Sequence, residues 1–206
     1  MRAFGGFVAA AAALAAVALS GCDQGSTEQA EPTRSPAGGS PPPPAETVRN
    51  CRTAVYGKLA PATREDIVAV GPLSVLALEG NGRTEVEPSG VVKVLVLVRT
   101  RRTATVVVPE DERERLSLLY DFGPGPKRPL RLSDGTSSVQ FHACTASEEW
   151  AEGKPYPDER ETQFNGGVFV RGAQCAMLDV WVDGQAGPSP LGLGLGIGDR
   201  PCPAEA

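Results

Sequence analysis

The stretch Val91–Val98, VVKVLVLV, constrains this chain more than any other. It is almost wholly apolar and rich in valine, whose branched side chain is stiff and packs well on a pleated surface. A strand with so little hydrophobic–polar alternation is expected to lie centrally in a sheet, covered on both faces. From Val48 onward period two dominates, and no long 3.6-residue pattern competes with it. Thr103–Val108 follows a turn near Arg101-Arg102, so the two segments read as a hairpin closed by Pro109.

Ile67–Val70, Leu73–Leu78, Leu116–Tyr120, Val139–Cys144, Gly167–Val170 and Cys175–Val182 read as further strands, divided by Gly-Pro and Asp-Gly punctuation. In Leu191–Gly198, LGLGLGIG, the residues Leu191, Leu193, Leu195 and Ile197 share one face and glycines the other. No G-x-G-x-x-G register fits, so this is read as a last strand pressed against something close rather than a phosphate loop. Helix is confined to short candidates at Glu110–Arg115 or Ser147–Glu152. About seven to nine short strands in one chain predict an all-β, two-sheet sandwich, with a partly closed barrel as the alternative.

Not all of the chain is fold. Arg2 precedes an unbroken apolar run, Phe7–Leu19, and Leu19-Ser20-Gly21-Cys22 closes it. The tetrapeptide looks like the lipobox of bacterial lipoproteins, in which small residues enter a peptidase cleft and the cysteine thiol is acylated. Residues 1–21 are thus expected to be a signal peptide and Cys22 the lipidation site. A helix of thirteen residues reaches only about 20 Å, short of the ~30 Å hydrocarbon core, although the longer segment Ala3–Gly21 is borderline, so a membrane-spanning anchor stays an alternative. An ordinary cleaved signal peptide is the other alternative. Residues 22–47 follow as a Pro-rich, disordered tether with a coil reach of about 25–30 Å. The remainder, 48–206, has the length of one domain with a single core.

The charge and cysteine content narrow the setting. From Val48 on there are 18 Lys/Arg against 21 Asp/Glu, a mixed surface without the basic footprint of a nucleic-acid binder. With Cys22 set aside, Cys51, Cys144, Cys175 and Cys202 remain, an even number that an exported chain is expected to oxidise. Cys51 opens the domain and Cys202 closes it, and domain termini are often near one another. The expected pairs are therefore Cys51–Cys202 and Cys144–Cys175, the second closing the long Thr145–Gln163 loop.

No catalytic constellation emerges. His142 is the one histidine, and alternation in VQFHAC puts Val139, Phe141 and Ala143 inward and Gln140 and His142 outward. Zinc on His142 and Cys144 would need two more ligands and a reduced thiol. The adjacent carboxylates Glu65-Asp66, Glu110–Glu114 and Glu148-Glu149 read as solvated turn residues, and no calcium-loop pattern surrounds Asp121, Asp134, Asp179 or Asp183. No cofactor and no metal are expected. Two surfaces are candidates for binding. Arg99, Arg101 and Arg102 gather at the expected hairpin tip, where guanidinium groups would grip phosphates of an envelope polymer or lipid. Trp150 and Tyr156 lie in the long loop and would make an aromatic contact surface.

The ordered segments Cys51–Tyr56, Gly71-Pro72-Leu73, Val92–Val98, Leu118–Asp121, Val139–Cys144 and Thr162–Gly167 resemble a group of exported lipoproteins of actinobacteria, over most of residues 51–202. The resemblance implies a lipid anchor in the outer leaflet of the cell membrane and brings no activity, cofactor or catalytic residue. The expectation is a membrane-anchored, extracytoplasmic and non-enzymatic module whose partner is an envelope polymer, a protein or a small ligand. A hydrolase using carboxylates assembled by the fold, or an accessory subunit of a membrane complex, is the alternative.

Overall fold

The computed structural model describes residues 41–59, 67–77, 90–121, 128–172 and 174–195. The lipobox Leu19–Cys22, the tether as far as residue 40, Glu65-Asp66, Ile197 and Cys202 lie outside the described residues. Ten strands occur among the described residues: β1 (Thr47–Arg49), β2 (Val68–Val70), β3 (Leu73–Ala77), β4 (Val91–Arg99), β5 (Thr103–Val107), β6 (Leu116–Leu119), β7 (Ser138–His142), β8 (Glu161–Val170), β9 (Gln174–Val182) and β10 (Ser189–Leu195). They form two five-stranded sheets, ordered β1-β7-β5-β9-β10 and β2-β3-β4-β8-β6. The domain is a two-sheet, disulfide-bonded β-sandwich.

β4 is central and covered on both faces, as its composition requires. Val92, Val94, Val96 and Val98 point between the sheets into the main core. Leu95 and Leu97 point the other way and, with Leu76, form a second cluster under Val55, Leu59 and Ile67. Each such side chain contributes about 1.5–3 kcal/mol of burial, and within the strand Lys93 alone is exposed ahead of Arg99 at its end. In β10, Leu191, Leu193 and Leu195 are buried, with Gly192 and Gly194 on the opposite side.

β4 and β5 do not form a hairpin. β4 pairs with β3 and β8, whereas β5 pairs with β7 and β9 in the other sheet. The connection is an arch between sheets, closed by Arg102 N–H donating to Arg99 O and by Arg101 in the left-handed region at φ 63°. Both edges of β4 are already occupied, by β3 and β8, so the following strand has to find its ladder elsewhere. The helical candidates reduce to one 3-10 turn at Glu110–Glu112 and to turns around Trp150.

The folded part begins before residue 48. β1 runs parallel to β7, pairing Thr47 with Val139 and Arg49 with Phe141. Just ahead of it, Ser138 Oγ donates to Pro44 O at 3.1 Å and accepts from Glu46 N–H at 2.9 Å. Glu46 and Thr47, expected in the tether, therefore belong to the domain.

The cysteine pairing differs from the expected one. Cys51 and Cys144 are joined, with Cα atoms 4.9 Å apart, so neither is left for Cys202 or Cys175. The parallel β1–β7 register brings both thiols to the same end, two residues beyond the strand in each case. Cys175 forms no disulfide among the described residues and points to the outer face of β9.

Candidate functional site

The two surfaces singled out in the sequence do not assemble as expected. Arg99, Arg101 and Arg102 are all exposed on the arch, but they open onto different hollows. Arg101 borders one that also holds Asp158 and Glu159, while Arg99 and Arg102 border another that contains Asp183. Carboxylates thus stand on either side of these arginines. Asp158 and Glu159 share one turn, where Asp158 accepts the Arg160 N–H at 2.8 Å. Glycoside hydrolysis by two carboxylates needs them facing each other across a cleft, and this pair does not.

The long loop is fastened rather than presented. The Cys51–Cys144 bridge holds its root, and Tyr56, Trp150 and Tyr156 meet edge to face at centroid distances of 5.9–6.5 Å. Tyr156 is buried; its hydroxyl donates to Val55 O at 2.7 Å and accepts the Gln163 N–H at 2.8 Å. Trp150 packs half-buried against the core. Trp150 and Tyr156 therefore tie the loop down and make no flat contact patch. Burial pushes the Tyr156 phenol up to about 12, against the opposing pull of the Gln163 N–H on its oxygen. The unfolded phenol ionises near 10, so above that pH the unfolded chain holds fewer protons than the folded one. The stabilisation is full below pH ~10 and is lost as pH climbs toward the folded value. The melting midpoint is expected to fall over that interval, with a shallower slope in Tyr156→Phe. An unchanged slope in the variant would show that other groups carry it, such as the buried Tyr120, also raised by burial.

His142 lies on the outer face of β7, half-buried, with Nδ1 at 3.1 Å from Thr103 Oγ1 and Nε2 at 2.9 Å from Gln140 Oε1. Both ring nitrogens are engaged by neighbours on the sheet, a cross-strand ladder rather than a poised base. Among the described residues no three His, Cys, Asp or Glu side chains gather as metal ligands would. No helix among them is long and apolar enough to cross a membrane.

The arrangement that stands out lies at the end of the sandwich opposite the arch. An open groove of about 540 Å³ is lined by Arg113, Arg131 and Arg171, with Ser133, Thr136 and Ser137 among them and Leu132 and Phe169 as apolar lining. Among the described residues no carboxylate lines it. Its shape comes from close backbone approach. Leu118 and Thr136 exchange N–H···O bonds of 2.8 and 2.9 Å, and Ser117 Oγ donates to Leu132 O at 2.8 Å. A Cβ on Gly135 would stand 2.4 Å from that Ser117 oxygen, so only glycine lets the turn lie this close. Arg113 is steadied by Nε donating to Val108 O at 3.2 Å, which leaves its terminal nitrogens clear of that bond.

Nearby charges are occupied by one another. Arg128 holds Asp134 through two bonds of 2.8 and 2.6 Å, and with the Arg131 N–H this brings the Asp134 carboxyl down to about 2. Arg115 pairs with Glu112 at 2.7 Å. Glu46 also reaches the groove's rim, where its oxygens accept the Ser137 hydroxyl and, at 3.3 Å, the Ser137 N–H. Arg113, Arg131 and Arg171 escape a reading along the chain because they lie far apart in it, with Arg113 flanked by Glu112 and Glu114. Only the meeting of β6, β8 and the turn before β7 puts them together. Oxyanions are what such a groove suits, since guanidinium forks and hydroxyls both donate to phosphate or carboxylate oxygens.

Fold and site together define a disulfide-stapled β-sandwich with an arginine-lined groove. No protein-family model, no curated protein and no solved structure matches the chain.

Proposed function

We propose that this protein is a non-enzymatic binding module, held at the extracytoplasmic face of the cell membrane by a lipid on Cys22, and that its ligand presents an oxyanion to the groove. The observation that carries the reading is the convergence of Arg113, Arg131 and Arg171 on one groove that, among the described residues, no carboxylate lines. The lipobox-like Leu19–Cys22 and the Pro-rich stretch behind it support the anchored setting. The Cys51–Cys144 bridge suits an oxidising compartment.

Titration with inorganic phosphate and with glycerol phosphate, followed by amide and guanidinium NMR shifts, tests the site. Both are expected to bind weakly and to move resonances of Arg113, Arg131, Arg171 and Ser137. Each lost charge-assisted contact is worth ~1.5 kcal/mol or more, so Arg113→Gln/Arg131→Gln/Arg171→Gln should weaken binding at least tenfold. No binding by the wild type, or equal binding by the variant, would sink the reading. The anchor is checked by intact-mass analysis of the membrane fraction, where the mature chain should begin at a lipid-modified Cys22.

A further inference from the structure

Building on the anion-binding reading above, we propose that the groove takes the phosphate headgroup of an anionic phospholipid in the same bilayer to which the chain is anchored. Pro44 and Glu46 are hydrogen-bonded to Ser138 and Ser137, and Ser137 also lines the groove. The segment leading from Cys22 thus meets the fold at the groove's own rim.

The strand registers place the rest of the domain away from that end. Arg99 pairs with Glu161 at one end of β8, while Leu116 pairs with Val170 at the other, beside Arg171. β8 has ten residues, so the arch with Arg99, Arg101 and Arg102 lies roughly 30 Å from the groove. A tether of the length and Pro-rich composition expected between Cys22 and Pro44 would have a coil reach of about 25 Å, short enough to keep the groove within reach of the headgroup layer. Confinement at that range gives an effective headgroup concentration on the order of millimolar or above, so a weak intrinsic affinity suffices.

The groove's chemistry fits the ligand. Three guanidinium groups match the singly charged phosphodiester oxygens, and Leu132 and Phe169 offer apolar contact to the glycerol carbons. Glu46 already places a carboxylate on the Ser137 hydroxyl and N–H. A phosphate bound there competes with it. Glu46→Gln, which removes that negative charge while keeping the side-chain shape, is expected to strengthen headgroup binding.

The test uses residues 22–206 with Cys22→Ala, so that no acyl chain contributes; every described strand lies within this span. Co-sedimentation is measured with phosphatidylcholine vesicles, with and without phosphatidylglycerol. Binding is expected only with phosphatidylglycerol, about tenfold weaker in Arg113→Gln/Arg131→Gln/Arg171→Gln and tighter in Glu46→Gln. The variant Arg99→Gln/Arg101→Gln/Arg102→Gln removes the same charge at the opposite end and should bind as the wild type does. Equal loss in the two triple variants would mean diffuse attraction and overturn the proposal. So would absence of vesicle binding by the wild type. In that last case the phosphate titration separates the two claims: arginine-dependent phosphate binding leaves the groove as an anion site for a free ligand, and its absence removes both. Melting curves of each variant, expected to match the wild type because the three arginines are exposed, keep a folding defect from mimicking the result.

Discussion

Removing the Cys51–Cys144 bridge is expected to lower the unfolding free energy by about 4–5 kcal/mol, the loss of loop-closure entropy for a loop of this size. The bridge spans a sequence separation of 93, so it restricts more than half of the domain in the unfolded chain. In the folded state it joins the end of β1 to the end of β7 and fixes the root of the Thr145–Gln163 loop. Denaturant unfolding of Cys51→Ala/Cys144→Ala against the wild type measures the effect. A difference under ~1 kcal/mol would show that the unfolded ensemble is already restrained there or that the bridge does not form. Non-reducing peptide mapping reads the pairing itself, and a peptide joining Cys51 to Cys202 would contradict it.

Phe141→Ala is expected to cost about 3–5 kcal/mol, in the range of deleting a fully buried aromatic side chain. Phe141 has no exposed surface and stands between the sheets. Its ring meets Tyr120 edge-on at 5.0 Å and Phe164, from the opposing sheet, at 5.3 Å. Truncation would leave a hole that three strands have to close, and backbone ladders on both sides resist that movement. For a domain of this size the melting midpoint should fall by roughly 10 °C or more. Val48→Ala provides the comparison: Val48 is 50% exposed on the edge strand, and its loss should stay within about 0.5 kcal/mol. Similar losses at the two positions would mean that the centre of this core is not where the rings meet.

The arch shows why some of this was legible in the chain and some was not. Arg101 and Arg102 mark a turn, and the sequence shows that turn plainly. Whether the two flanking strands then pair depends on which edges of β4 are free, and β3 and β8 are placed by residues far along the chain. The same holds for the candidate site. Arg99, Arg101 and Arg102 form a cluster in sequence but face carboxylates from two loops. Arg113, Arg131 and Arg171 form none in sequence, yet line one groove.

By itself the sequence determined what each residue prefers locally. Period-two alternation set Val139, Phe141 and Ala143 inward and Gln140 and His142 outward, the glycine-leucine alternation set the buried face of β10, and an unbroken apolar run set β4 in the middle of a sheet. These follow from side-chain direction along a strand, which depends on nearest neighbours alone. Only the tertiary structure decided the partners: the two-sheet strand order, the Cys51–Cys144 bridge, and the groove whose rim Glu46 reaches. Each of these joins residues distant in sequence. Their pairing is selected by total burial and ladder closure over the whole chain, a quantity that no local window contains.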